Sequence, residues 1–207
     1  ALYMINEGPD EPFGGGQAGV DFPAADPATT GQVMKLVVGP LAGPDTSVPP
    51  DQLTLPTLPV TGPATATRRL SLNELDSAVL PDVGPRMALL GTLAGEAEPV
   101  PLGWGDPVTE RPALGATEVW EISNFTADAH PVHLHQVQFQ VVGRQAFDGP
   151  VRAPEPWESG PKDTVVAFPG ETTRVRSRFD LPGRYVWHCH ILEHEDHEMM
   201  RPFEVVP

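Results

Sequence analysis

The sequence predicts an all-β fold, a sandwich or barrel of short strands, and three features carry that expectation. Twenty-six prolines and 20 glycines among 207 residues interrupt any long helix and supply turns. From Arg68 onward, about eight short segments of strand-like composition recur between those turns. Apolar and polar residues alternate cleanly in Thr117–Ile122 and in Thr172–Phe179, the pattern of half-buried antiparallel strands.

Taken in order, Leu2–Asn6 and Val33–Val38 read as two strands around the glycine-rich loop PFGGGQAGVDF. They precede the main set and read as strands of a different sheet. From Pro40 to Thr67 the chain has many prolines and no sustained period, which suits a linker or an extended surface crossover. The later strand candidates are RRLSLNEL, RMALLGT, ATEVWEISNF, VHLHQVQFQVVGR, DTVVAF, TTRVRSRF, GRYVWHCH and MRPFEVV. Helix signals are confined to Asn73–Val79 and Ile191–Met200. The implied organisation is terminal strands in 1–42, a proline-rich linker in 43–67 and a β domain in 68–207.

A formal charge of −15 argues against a nucleic-acid partner, because nothing would neutralise phosphates. Arg174, Arg176 and Arg178 alternate as one solvated strand face would. No apolar run approaches the roughly 18–20 residues that cross a bilayer. The one cysteine, Cys189, has no internal disulfide partner, which leaves a buried filler, a reactive thiol or a metal ligand.

Two histidine-rich motifs decide among these: HPVHLH at 130–135 and HCHILEHEDHEMM at 188–200. Successive side chains of a strand point to opposite faces. On neighbouring strands, one face would therefore collect His133, His135, His188 and His190. The other would collect His130 and Cys189, with His194 and Met199 returning from the next loop. One thiolate, two imidazoles and a weak thioether make the ligand set of a blue-copper electron-transfer site. The other group is imidazole only, which suits copper or zinc and leaves positions open for a small ligand such as dioxygen. Met200 competes with Met199 as the thioether. His197 reads as a solvated loop histidine, and Trp187 as packing on the Cys189 side. Trp104, Trp120, Trp157 and the 146–161 loop read as ordinary packing and surface.

In these two motifs the chain resembles the C-terminal part of a three-domain multicopper oxidase, close to bacterial laccases, bilirubin oxidases and phenoxazinone synthases. HPVHLH and HCH-x₃-H-x₄-M match that family's third and fourth copper motifs, and GWGDPVTERP and Lys162–Thr164 are similar to the same group. The resemblance implies a cupredoxin-like Greek-key β-sandwich, with residues 1–42 closing a middle cupredoxin domain. It implies type 1 copper on His130, Cys189, His194 and Met199, type 2 on His133, and the type 3 pair on His135, His188 and His190. Glu195 matches a carboxylate implicated in proton delivery during oxygen reduction. The family needs four further histidines from two HxH motifs, so the type 2 and type 3 coppers would be shared with an N-terminal part. The implied activity is oxidation of a phenolic or other small reductant with reduction of dioxygen to water, only with that partner and in an extracytoplasmic or secreted setting. A mononuclear cupredoxin electron carrier is the alternative, and it leaves the four-imidazole group unemployed.

Overall fold

The computed structural model describes residues 1–57, 61–80, 83–95 and 97–207. These form two compact units, 1–58 and 59–207. In the first, β1 (Leu2–Ile5) pairs antiparallel with β2 (Gln32–Leu36). A two-stranded ribbon has no second layer to cover it, and Leu2, Tyr3, Met4, Ile5, Val33, Met34 and Leu36 are all exposed.

The second unit is a sandwich. Its strands are β3 (Ala66–Asp76), β4 (Pro85–Ala94), β5 (Glu98–Leu102), β6 (Thr117–Asn124), β7 (His130–Leu134), β8 (Phe139–Ala146), β9 (Thr164–Ala167), β10 (Glu171–Arg178), β11 (Gly183–Cys189) and β12 (Met200–Val205). A six-stranded sheet runs β5-β4-β3-β6-β10-β8, and a four-stranded sheet runs β12-β11-β7-β9. Only the β3–β6 pair is parallel among the described pairings. Alternate residues of both sheets meet in one core. Leu70, Leu72, Trp120, Ile122 and Val175 come from one side, and Val132, Leu134, Trp187, Cys189 and Phe203 from the other. Trp120 stacks on Phe179 and meets Trp187 and Phe203 edge-on.

Several expectations are corrected. The helix signal at Asn73–Val79 is instead, over residues 73–76, the end of β3, where Asn73 pairs with Leu89 and Leu75 with Met87. Cross-strand pairing outweighs a weak local propensity there, and the buried Asn73 amide bonds the carbonyls of Ser71 and Leu89. VHLHQVQFQVVGR is not one strand. Gln136 takes a left-handed φ of 72°, and the chain leaves the four-stranded sheet after β7 to enter the six-stranded one as β8. Glu98–Leu102, with two prolines, forms edge strand β5, where missing donors are tolerated. The second helix signal shrinks to α1 (Leu192–Asp196). The arginines are not simply solvated: Arg174 bonds Glu121 and Gln145, and Arg176 bonds Thr61 and Gln140.

The 146–161 loop is pinned rather than loose. Arg144, 1% exposed, donates to Glu158, Glu171, Thr173 and the Val166 carbonyl, while Arg152 reaches Glu155 and Glu171. No helix among the described residues is long and apolar enough to cross a membrane.

Candidate metal centre

Strand pairing brings the two histidine motifs together. On β7 and β11, His133 lies opposite His188 and Val132 opposite Cys189. The amide of His190 continues the contact by donating to the Pro131 carbonyl at 2.7 Å. Pleating then sends the donors to two sides of this ribbon.

The inner side faces the core. His130, Cys189 and Met199 have no solvent exposure, and His194 is half-buried. The short turn of α1 carries His194 back over Cys189. The fold of this return is fixed by three amide bonds: His194 N–H to Ile191 O, Met199 N–H to His194 O and Cys189 N–H to Met199 O, all 2.9–3.0 Å. His130 Nδ1 and His194 Nδ1 lie 3.5 and 3.8 Å from Cys189 Sγ, and 3.2 Å from each other. Metal–nitrogen bonds of about 2.0–2.1 Å and a metal–sulfur bond of about 2.3 Å, at tetrahedral to trigonal angles, space donors roughly 3.3–3.8 Å apart. The three atoms therefore fit around one ion. Met199 lies in the same buried cluster as Cys189, whereas Met200 is partly exposed and lines a cleft with Trp104 and Glu195.

Burial governs the protonation of the metal-free site. It pushes the Cys189 thiol up to about 11, and it pulls His130 down to about 4 with help from nearby His194. The imidazole is thus neutral and able to offer a lone pair, while the thiol holds a proton that a metal would displace.

The other side is more open. His135 Nε2 and His188 Nε2 approach to 3.1 Å, and one ring nitrogen each from His133, His135 and His188 lies within 4.8 Å of the others. His190 joins the same group of rings, 5.4 Å from His188 and 5.8 Å from His133 between centroids. His133 Nδ1–H donates to the Asp163 carbonyl at 2.8 Å, and His188 Nδ1–H to the Cys189 carbonyl at 3.0 Å. Both rings are therefore anchored through Nδ1, and His188 Nε2 faces His135 Nε2. Glu195 Oε2 lies 3.4 Å from His188 Nδ1, on the opposite edge of that ring. His197 stands apart, bonded to the Arg86 carbonyl. Trp187 is buried beside Cys189 in the core, whereas Trp104 is nearly half exposed.

A family profile described as multicopper oxidase matches residues 86–207. The chain belongs to the multicopper oxidase family. A laccase from Bacillus stratosphericus is 51% identical over 117 residues, covering 50% of this chain and 23% of the relative. A bilirubin oxidase from Albifimbria verrucaria is 32% identical over 192 residues, or 91% of this chain and 31% of the relative. Among solved structures, a laccase from Pediococcus acidilactici has a TM-score of 0.54 at 27% identity, covering 79% of this chain and 32% of that one. The chain thus spans about a quarter to a third of the length of these multicopper oxidases.

One part of the site leaves little trace in the sequence. Asn124 and Thr126 are buried, and Thr126 Oγ1 lies 2.7 Å from His130 Nε2. The available signal was two polar residues at the end of an apolar strand, just before HPVHLH.

Proposed function

We propose that this chain is the C-terminal portion of a laccase-like multicopper oxidase that oxidises phenolic or similar small reductants with dioxygen as acceptor. The observation that carries this reading is the pair of donor groups on either side of one backbone stretch. His130, Cys189 and His194 converge on the buried side, with Met199 packed in the same cluster. Four imidazoles gather on the other.

When bound, copper would supply one-electron chemistry at the buried centre and oxygen-reducing chemistry at the imidazole cluster. The chain's own residues account for the rest. His130, Cys189, His194 and Met199 would hold the type 1 ion, His133 the type 2, and His135, His188 and His190 the type 3 pair. Covalent continuity through His188-Cys189-His190 links the two groups over three residues. A reductant would meet the partly exposed His194 edge, since His130 and Cys189 are sealed from solvent. Glu195, beside His188, would hold and return protons near the imidazole cluster.

The histidine count limits what this chain does alone. Six of its seven histidines belong to the two groups, and the seventh, His197, is bonded elsewhere. The reading therefore includes a cupredoxin-like N-terminal part that brings two HxH motifs. The family resemblance also supports an extracytoplasmic location. An electron carrier with one copper is the weaker reading, because it gives the four-imidazole cluster no task.

The test is oxygen consumption by the copper-loaded chain with a phenolic reductant, with and without an added N-terminal part. Activity only in the combined sample is the expected result. Four-electron turnover by the 207-residue chain alone would remove the requirement for a partner, and no turnover in either sample would remove the oxidase reading.

A further inference from the structure

The loop from Asn124 to Ala129, which delivers His130, is held by a closed set of buried hydrogen bonds that the proposed function does not use. Asn124 is fully buried and donates both Nδ2 protons, to the carbonyls of Asp128 at 2.7 Å and Ala167 at 3.0 Å. That fixes the amide's orientation and turns Oδ1 toward Thr126. The Thr126 amide reaches Oδ1 at 2.9 Å and its hydroxyl reaches it at 2.8 Å.

The hydroxyl has one proton to give. Two of its close neighbours, Asn124 Oδ1 and the Asp128 carbonyl at 3.0 Å, can only accept. Its third close neighbour is His130 Nε2, at 2.7 Å. If the hydroxyl donated to His130, two oxygen pairs at 2.8 and 3.0 Å would face each other with no proton between them. The assignment that leaves only one such pair has the hydroxyl donate to one of the two oxygens and accept from His130 Nε2–H. The ring then turns an unprotonated Nδ1 toward Cys189 Sγ and His194 Nδ1.

We propose that Thr126, itself oriented by Asn124, is a positioning residue for the buried metal centre. It selects the His130 tautomer that leaves Nδ1 free and fixes the rotation of the ring toward Cys189. This rests on the reading of His130 and Cys189 as metal ligands. Buried partners of this kind make a ligand more basic and remove the cost of orienting it on binding. A more basic imidazole favours Cu(II) over Cu(I), so Thr126 also holds the reduction potential down.

The experiment uses the protein at its natural length, loaded with copper. Thr126→Val is nearly isosteric and removes the acceptor, whereas Thr126→Ser keeps it. Thr126→Val is expected to weaken copper binding at this centre about 10–100-fold, to alter the thiolate-to-copper absorption band and to raise the reduction potential. Thr126→Ser should restore all three. A Thr126→Val protein with wild-type affinity, band and potential overturns the proposal, and so does a Thr126→Ser protein as impaired as Thr126→Val. Absence of the band in the wild type overturns the metal-ligand reading itself, and the proposal with it. If Thr126→Val does not fold, ¹⁵N NMR of the metal-free wild type reads the tautomer directly. A proton on Nε2 of His130 supports the proposal, and one on Nδ1 overturns it.

Discussion

The two donor groups on either side of β11 are built from one short ribbon, yet they differ in nearly every physical respect. The inner group is sealed except at the edge of His194: His130, Cys189 and Met199 have no solvent exposure, and Thr126 meets the rear of His130. The outer group is open, with His135 and His190 exposed and His133 only half-buried. The inner three donors already stand at the spacing of one ion's ligands. The outer rings meet mostly edge-on, with His135 Nε2 and His188 Nε2 3.1 Å apart. The sandwich core therefore completes one site by packing, whereas the other is presented at a surface where a further element could add donors.

The largest expected effect breaks the two apart. In the copper-loaded protein, Cys189→Ser should abolish the thiolate-to-copper band, while His188→Ala should keep the band and reduce only the copper bound at the outer group. Visible absorption and copper stoichiometry of both variants check this. Loss of the band in His188→Ala would show that the groups do not form independently.

A pH titration sharpens the contrast. Burial holds the Cys189 thiol at about 11 and His130 at about 4. Metal binding must therefore expel the thiol proton, whereas His130 has none to lose near neutrality. Affinity rises with pH below the thiol value. With zinc as a redox-silent probe, the inner site should gain about tenfold per pH unit between about pH 8 and 10. An imidazole-only site has no thiol proton and should show no such slope. Competition with a chelator of known affinity measures both, and a flat inner-site profile would mean that the thiol is not a ligand.

Next comes the choice of thioether. Met199 is buried with Cys189 while Met200 is partly exposed and lines a cleft, so Met199→Leu should raise the reduction potential and Met200→Leu should leave it unchanged. Voltammetry that shows the reverse would move the thioether role to Met200.

The smallest effect concerns the crossover between sheets. Gln136 has a left-handed φ and a buried Oε1 without a hydrogen-bond partner. Gln136→Gly should therefore stabilise the fold by about 1 kcal/mol, read by denaturant unfolding. A loss of stability would mean that the side chain's bond to Asp180 outweighs the strain.

Much of this was legible in the sequence for identifiable reasons. Strand parity alone separates His133 from His130 and His188 from Cys189, because the side-chain period of two survives any twist of the sheet. Proline and glycine density reports the class of fold through turns. What is not legible has equally local causes. Residues 73–76 form a charged, leucine-containing segment that resembles a helix until β4 lies beside it. No glycine marks the left-handed backbone at Gln136. Arg174 and Arg176 look solvated in the sequence because their partners lie up to 115 positions away in the chain.

Sequence alone thus determined the all-β class, the two motifs and the chemical type of each donor, since these depend on residue identity and local period. Tertiary structure decided which methionine is buried beside Cys189, and that Thr126 rather than solvent meets the rear of His130. It also decided that one donor group is enclosed while the other faces outward. Those properties depend on which distant strands cover a side chain. Burial, with the protonation it imposes on Cys189 and His130, is a property of the packed sandwich and of no single segment within it.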